Sequence, residues 1–253
     1  MRTKHLFFSM FVLFTFMLVV SSYAEIDPNT IAGFWNFNEG AGKVTKDGSK
    51  NKIDGDLAGA PKWIDGKVGK ALEFDGQLDY VDVPNMTTPE FVTFACWFKK
   101  TGPGSGGVPR LHSRGAGPWS LEYGIGNTHQ PNQLGFYFAF ADGSTAGWKM
   151  FFEPKEGVWY HTAISYDGTW VRAYVDGEEV YSAKDWAGKK LNKGISRIGG
   201  GASGDAFKGD IDEVILFNVA ITGDDVKSLM SGKWASVAPL DKTATTWGVI
   251  KAK

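Results

Sequence analysis

Residues 170–182 read WVRAYVDGEEVYS, and their pattern decides the fold. Val171, Ala173 and Val175 fall on one side of an extended chain, because successive side chains of a strand point to opposite faces. Asp176-Gly177 then supplies the positive backbone angles of a tight hairpin, and the chain turns back on itself. The same dipeptide recurs at residues 47–48, 54–55, 65–66, 75–76, 142–143 and 167–168. Gly lacks a Cβ and Asp tolerates the left-handed region, so each of these positions predicts a turn.

Short period-two runs lie between the turns. QLGFYFAFADG (133–143) puts Leu134, Phe136, Phe138 and Phe140 on one face. VTFACWFK (92–99) alternates Val92, Phe94, Cys96 and Phe98 with Thr93, Ala95 and Trp97. Only TGDDVKSLMSG (222–232) reads as helix: Thr222 caps it, Val226, Leu229 and Met230 form its apolar face, and Gly232 ends it. Many short strands with almost no helix predict an all-β protein, a two-sheet antiparallel jelly-roll β-sandwich with one short C-terminal helix.

The ends and composition bound what the chain does. Arg2 and Lys4 precede an apolar run from Leu6 to Val20 and then Ser21-Ser22-Tyr23-Ala24, the order of a cleavable secretory signal. The expected product starts after Ala24, carries no transmembrane segment and is exported as a monomer. Residues 25–232 are expected to form one domain and 233–253 a tail. A formal net charge of −1 with mixed signs argues against a nucleic-acid partner, which demands clustered Lys and Arg. Cys96 is the one cysteine, which excludes an internal disulfide and a cysteine-based metal site. Its place between Phe94 and Phe98 predicts a buried thiol.

Five segments, in order, resemble the laminin-G-like or concanavalin-A-like jelly-roll domains of secreted proteins. They are AGFWNFNEGAGKVTKDGSKNKIDGDL (32–57), GKVGKALEFDGQLDYVDVP (66–84), VTFACWFK (92–99), GVWYHTAISYDGTWVRAYVDGEEV (157–180) and FKGDIDEVILFNVAITGDDVKSLM (207–230). The resemblance implies a non-catalytic module that binds glycans or protein surfaces, although related jelly rolls include glucanases. Fold alone does not choose between binding and hydrolysis.

The stretch GDIDEVILFN (209–218) holds the carboxylates that bear on this choice. As strand neighbours, Asp212 and Glu213 point to opposite faces and cannot converge on one bond. Asp210 and Asp212 share a face at ~6.5–7 Å, a spacing within reach of an inverting glycosidase. The Glu-x-Asp-x-x-Glu strand motif of the glucanases is missing; EIDPNT (25–30) matches only its first half. No Gly-x-Ser-x-Gly elbow accompanies His112, His129 or His161, and His161 is expected at a surface or groove.

Val214 and Leu216 follow Asp212 on one face, and Ile211, Ile215 and Phe217 flank Glu213 on the other, so the strand is covered on both sides or bulged. Asp212 therefore needs a partner. KDGSKN (46–51) offers alternating oxygens at Asp47, Ser49 and Asn51, the way a short loop wraps Ca²⁺. First and last strands of such jelly rolls lie side by side, which would bring Glu39, the Asp47 loop and Asp212 together. The resemblance also implies a structural Ca²⁺ near the termini. The alternative is that Asp212 accepts backbone hydrogen bonds and the Asp47 loop is only a turn.

For a ligand, sugar rings stack on aromatic side chains while polar groups read the hydroxyls. The Gly-rich segment RLHSRGAGPWSLEYGIGNTHQPNQ (110–133), expected as exposed loop, offers Arg110, Arg114, His112, Trp119, Tyr123, Asn127 and His129. Arg172, Tyr174, Trp97 and Tyr137 lie on strand faces opposite the expected core. The competing function is protein interaction or surface assembly through the tail LDKTATTWGVIKAK (240–253).

Overall fold

The computed structural model describes residues 26–84, 86, 92–114, 121–126, 129–192, 194–201 and 204–232. The expected signal and the tail after Gly232 lie outside these, as do Trp119 and Asn127. Among the described residues sixteen strands, numbered along the chain, form two sheets of eight, with every strand–strand pairing antiparallel. The first sheet runs β14 (Glu178–Ala183), β13 (Val171–Val175), β12 (Trp159–Tyr166), β7 (Val92–Lys100), β16 (Lys208–Phe217), β5 (Lys70–Asp75) and β4 (Lys62–Asp65). β1 (Ile31–Trp35) pairs with the second half of β16. The other sheet runs β11 (Thr145–Phe152), β10 (Leu134–Ala139), β9 (Leu121–Ile125), β8 (Arg110–Arg114), β15 (Ser196–Ile198), β6 (Tyr80–Val83), β3 (Gly55–Ala58) and β2 (Val44–Thr45). This is the expected two-sheet jelly-roll sandwich.

The core follows the period-two runs. Leu134, Phe136, Phe138 and Phe140 are buried between the sheets, as are Phe94, Cys96 and Phe98 from the facing sheet. Burial pushes the Cys96 thiol well above its usual range, so it behaves as a small apolar group. The hairpin after Val175 has Asp176 and Gly177 both at positive φ, 48° and 82°, the twist-matched turn the dipeptide predicts.

A second apolar layer covers part of the first sheet's outer face. Helix α1 (Gly223–Ser231) starts at a capping box: Thr222 Oγ1 accepts the Asp225 N–H, and the Asp225 carboxylate accepts the Thr222 N–H at 2.8 Å. Gly232 ends it in the left-handed conformation at φ 67°. Val226 and Leu229 pack on Ala95, Ala163, Tyr174, Ile215 and Phe217. Covered on both sides, β16 has buried residues at every position after Lys208.

The strict alternation expected along β16 does not hold. Opposite β7, the register passes from Asp212↔Trp97 to Ile215↔Ala95, so one extra residue bulges out of β16. Glu213 takes the positive φ of 51° that this bulge requires. The phase then resets: Ile211, Val214 and Leu216 face the inter-sheet core, while Ile215 and Phe217 face the helix. Asp212 therefore does not share its face with Val214 and Leu216.

Candidate functional site

Cross-strand pairing assembles a continuous row on the outer face of the second sheet. Trp148 of β11 pairs with Tyr137 of β10, Tyr137 with Glu122 of β9, and Glu122 with Ser113 of β8. Ser113 pairs with Arg197 of β15, Arg197 with Asp82 of β6, and Asp82 with Asp56 of β3. The row crosses six strand gaps, or roughly 29 Å. Its members point away from the core because their chain neighbours Phe136, Phe138, Tyr123, Ile198, Val81 and Val83 point into it.

One end of the row is aromatic. Trp148 and Tyr137 are both half-buried, with ring centroids 5.8 Å apart. The middle is buried: Ser113, 2% exposed, gives its hydroxyl proton to the Gly200 carbonyl at 2.8 Å, and Glu122, 7% exposed, is held by the Arg110 guanidinium at 2.8 Å. Arg110 also grips Asp205. Burial alone would raise the Asp205 carboxyl. The Arg110 charge and the Gly107 and Val108 N–H groups outweigh burial and hold it below its usual range. At the other end Arg197 pairs with Asp82 at 3.1 Å and lies 4.7 Å over the Tyr80 ring, and Asp56 is exposed.

Several residues expected to bind a ligand lie elsewhere. Residues 110–114 and 121–125 are strands of the second sheet, not a surface loop. His112 is 1% exposed; it stacks on Phe94 with centroids 4.7 Å apart and shares a 2.6 Å hydrogen bond with Ser196 Oγ. Burial, helped by the Arg114 charge, lowers its pKa to about 3, so it is a neutral core imidazole. Tyr123 is buried against Phe94 with its hydroxyl on Thr162, and Arg114 is buried with a guanidinium N–H on the Asn192 carbonyl. Tyr174 is buried under helix α1, and Trp97 is buried with the Lys67 ammonium 4.4 Å from its ring. Arg172 is half-exposed but bound to Asp167 and Glu179, its guanidinium 5.0 Å over Trp170. Of the expected aromatic positions, Tyr137 joins the row; Trp148 and Arg197 were missed.

The carboxylates of β16 sit on the other sheet and are not open to a substrate. Asp210 is paired with Lys99. Asp212 is fully buried, and its Oδ2 accepts the Val68 N–H at 2.8 Å. Because of the bulge, Glu213 does not point to the opposite side from Asp212. It lines a cavity of about 20 Å³ with Val68, Trp97, His161, Ile215, Leu229 and Met230. Asp212 Oδ1, Glu213 Oε1 and His161 Nδ1 have no hydrogen-bond partner among the described residues. Burial raises Asp212 to about 7, with the Val68, Glu213 and Lys67 N–H groups offsetting only part. Burial and then the Asp212 charge push Glu213 well up. His161, expected at a surface or groove, lines this cavity but is buried, and burial holds it neutral, at about 3.

The expected calcium ligands do not converge. Asp47 accepts from the Phe34 and Ser49 N–H groups at 2.9 and 2.7 Å through Oδ1, and from Ser49 Oγ and the Ile53 N–H at 2.7 and 2.9 Å through Oδ2. Those four bonds use the four acceptor positions of a carboxylate. The Asn51 amide donates to the Ile31 and Ala32 carbonyls, and Glu39 accepts from the Lys46 N–H. Ca²⁺ takes 6–8 oxygens, whereas the Asp47 and Glu39 carboxylates already accept from the protein's own donors and the Asn51 amide is turned onto backbone carbonyls. Asp212 is held by the 66–68 turn instead. No group of three or more His, Cys, Asp or Glu side chains placed to hold a metal ion occurs among the described residues. As arranged, these residues do not fit the ion.

The geometry can be set beside known proteins. No protein of curated function matches the sequence. Among solved structures, domain 4 of AbnA, a GH43 extracellular arabinanase from Geobacillus stearothermophilus, is similar with a TM-score of 0.62 and 21% identity. That domain was solved in complex with arabinotriose, and the match covers 79% of this chain and 98% of that one. The Trypanosoma rangeli sialidase in complex with sialic acid matches at TM-score 0.60 and 15% identity, over 81% of this chain but 33% of the sialidase chain. The receptor binding domain of a botulinum neurotoxin C/D mosaic serotype matches at TM-score 0.62 and 12% identity, over 82% of this chain and 52% of that one. At such identities the likeness concerns the fold. A family model described as "Concanavalin A-like lectin/glucanases superfamily" matches residues 53–227, from the loop before β3 into helix α1, and the chain belongs to that superfamily.

Proposed function

We propose that this chain is an exported, non-catalytic module that binds carbohydrate across the strands of its second sheet. The observation that carries the reading is the outer-face row, with the Trp148–Tyr137 pair at one end and the accessible polar groups of Arg197, Asp82 and Asp56 at the other. Aromatic faces accept the C–H side of a sugar ring, and a few placed polar groups fix its orientation. The arabinanase domain solved with arabinotriose lends support, because it shares the fold over nearly its whole length.

Carboxylate spacing favours binding over hydrolysis. Glu122 and Asp82 stand three strand gaps apart, ~14 Å, beyond the ~9.5 Å limit of glycosidase pairs. Asp56 and Asp82 are direct neighbours, but Arg197 already clamps Asp82. Turnover of a polysaccharide that disappears in Asp82→Asn would make this pair catalytic and overturn the non-catalytic reading.

The test is a panel of immobilised polysaccharides probed with the full chain, Tyr137→Ala, and a chain ending at Gly232. Binding that survives loss of the tail and weakens in Tyr137→Ala is expected. Binding that vanishes with the tail and ignores Tyr137 would instead make this a protein-interaction or surface-assembly module.

A further inference from the structure

We infer that the glycan this face accepts is neutral, and that chains bearing uronate, sialate or sulfate groups are rejected. The inference rests on the reading above and concerns the chemical class of its ligand.

An anionic sugar is recognised by a guanidinium or ammonium with free donors, ideally two aimed at one carboxylate or sulfate. Among the described residues the row and its direct partners hold two guanidiniums, and the charge of each is already balanced by a carboxylate. Arg110 lies between Glu122, at 2.8 Å, and Asp205, and is 5% exposed. Arg197 gives its Nε–H to Asp82 at 3.1 Å and lays its plane on Tyr80. Two guanidiniums stand against four carboxylates, Glu122, Asp205, Asp82 and Asp56, so the face is net negative. Asp56 is exposed and makes no ion pair among the described residues. An incoming anion would meet that charge with no unbalanced guanidinium to answer it among the described residues of the row. A hydroxyl can donate to the exposed Asp56 and accept from the outer N–H groups of Arg197 without needing the net positive charge that Asp82 has already balanced, so an uncharged sugar loses nothing here.

This separates the chain from what its fold kinship alone would suggest. The sialidase that was solved with sialic acid, an anionic sugar, shares this fold over a third of its chain. The charge on this face points away from such a ligand.

The experiment compares binding of the full chain to neutral polysaccharides (arabinan, xylan and β-glucan) and to polygalacturonate and a sulfated glycan, each at low and high salt. Binding confined to the neutral set and insensitive to salt is expected, since no long-range charge attraction drives it. Asp56→Arg, a change at an exposed position, places an uncommitted cation beside Arg197. It should confer binding to polygalacturonate that high salt removes, at least tenfold above wild type. Wild-type preference for the anionic set, lost in high salt, overturns the inference and leaves the carbohydrate reading in place. Binding to neither set, in protein with native near-UV circular dichroism, overturns both.

Discussion

Replacing Asp212 by Asn should make this protein more stable at neutral pH, and increasingly so as pH rises. Asp212 is fully buried, and its one strong partner, the Val68 N–H at 2.8 Å, is a donor that an amide oxygen accepts equally well. Burial moves its carboxyl from an ordinary ~3.9 to about 7 in the folded chain. The folded state thus binds the proton more tightly than the unfolded state. The sign follows: stability from this group is fully present below pH ~4, is lost as pH rises to ~7, and is constant above. Each pH unit in that window is ~1.36 kcal/mol, so on the order of 4 kcal/mol is at stake. His112 and His161, both lowered to about 3 by burial, act the opposite way as pH falls below ~6.5, but they are common to both proteins and cancel in the difference. Urea unfolding followed by tryptophan fluorescence, at several pH values from 4 to 8, measures that difference. The stability of Asp212→Asn minus wild type should climb by ~4 kcal/mol between pH 4 and 7 with unchanged m-values. In melting temperature this is ~8–16 °C for a domain of this size. Parallel stability curves would refute the reasoning, because they would mean that Asp212 stays ionised at an ordinary pKa with a partner beside it.

Three further outcomes follow from the fold. Thr222→Ala removes the acceptor for the Asp225 N–H and should cost ~1 kcal/mol, a drop of ~2–4 °C by calorimetry; no drop would mean the helix does not depend on its capping box. Cys96 should react slowly with a thiol reagent in native buffer and rapidly in denaturant; fast native labelling would put β7 in the opposite phase. Melting temperature should be the same in millimolar calcium and in chelator, because the protein's own donors occupy the Asp47 carboxylate; a calcium-dependent rise would show that the 46–53 loop rearranges around an ion.

Much of this architecture was legible because its signals are local. The Asp176-Gly177 turn, the Phe136–Phe138–Phe140 ladder and the Thr222 and Gly232 helix boundaries each depend on residues a few positions apart. Burial of both faces of β16 was also readable from its unbroken apolar run. A bulge was the other reading of that run and it is also present, but its place was not readable, because Glu213 holds a positive φ that favours glycine and its cause is the pairing with β7. His161 fell on the face opposite the core, as its alternation with Ala163 implies, yet it is buried because a helix some sixty residues later returns to that region. Arg114 and His112 looked like loop residues because the shift in pairing between Arg110 and His112 hides the period of β8, and Tyr123 because β9 is short and set among glycines. The candidate site was illegible for a related reason. Its row joins residues 56, 82, 113, 122, 137, 148 and 197, and only the strand order brings them together.

The most direct test of the central claim is calorimetric titration of a neutral oligosaccharide, chosen from the polysaccharide panel, into wild type, Trp148→Ala and Trp170→Ala. Both tryptophans are half-buried surface aromatics, but Trp148 belongs to the row, whereas Trp170 lies on the first sheet's side beside Arg172. Removing a stacking platform should weaken binding at least tenfold, ~1.4 kcal/mol or more. The account predicts that loss for Trp148→Ala and wild-type affinity for Trp170→Ala. Unchanged affinity in Trp148→Ala, with the loss appearing in Trp170→Ala instead, would place the ligand on the wrong sheet and contradict it.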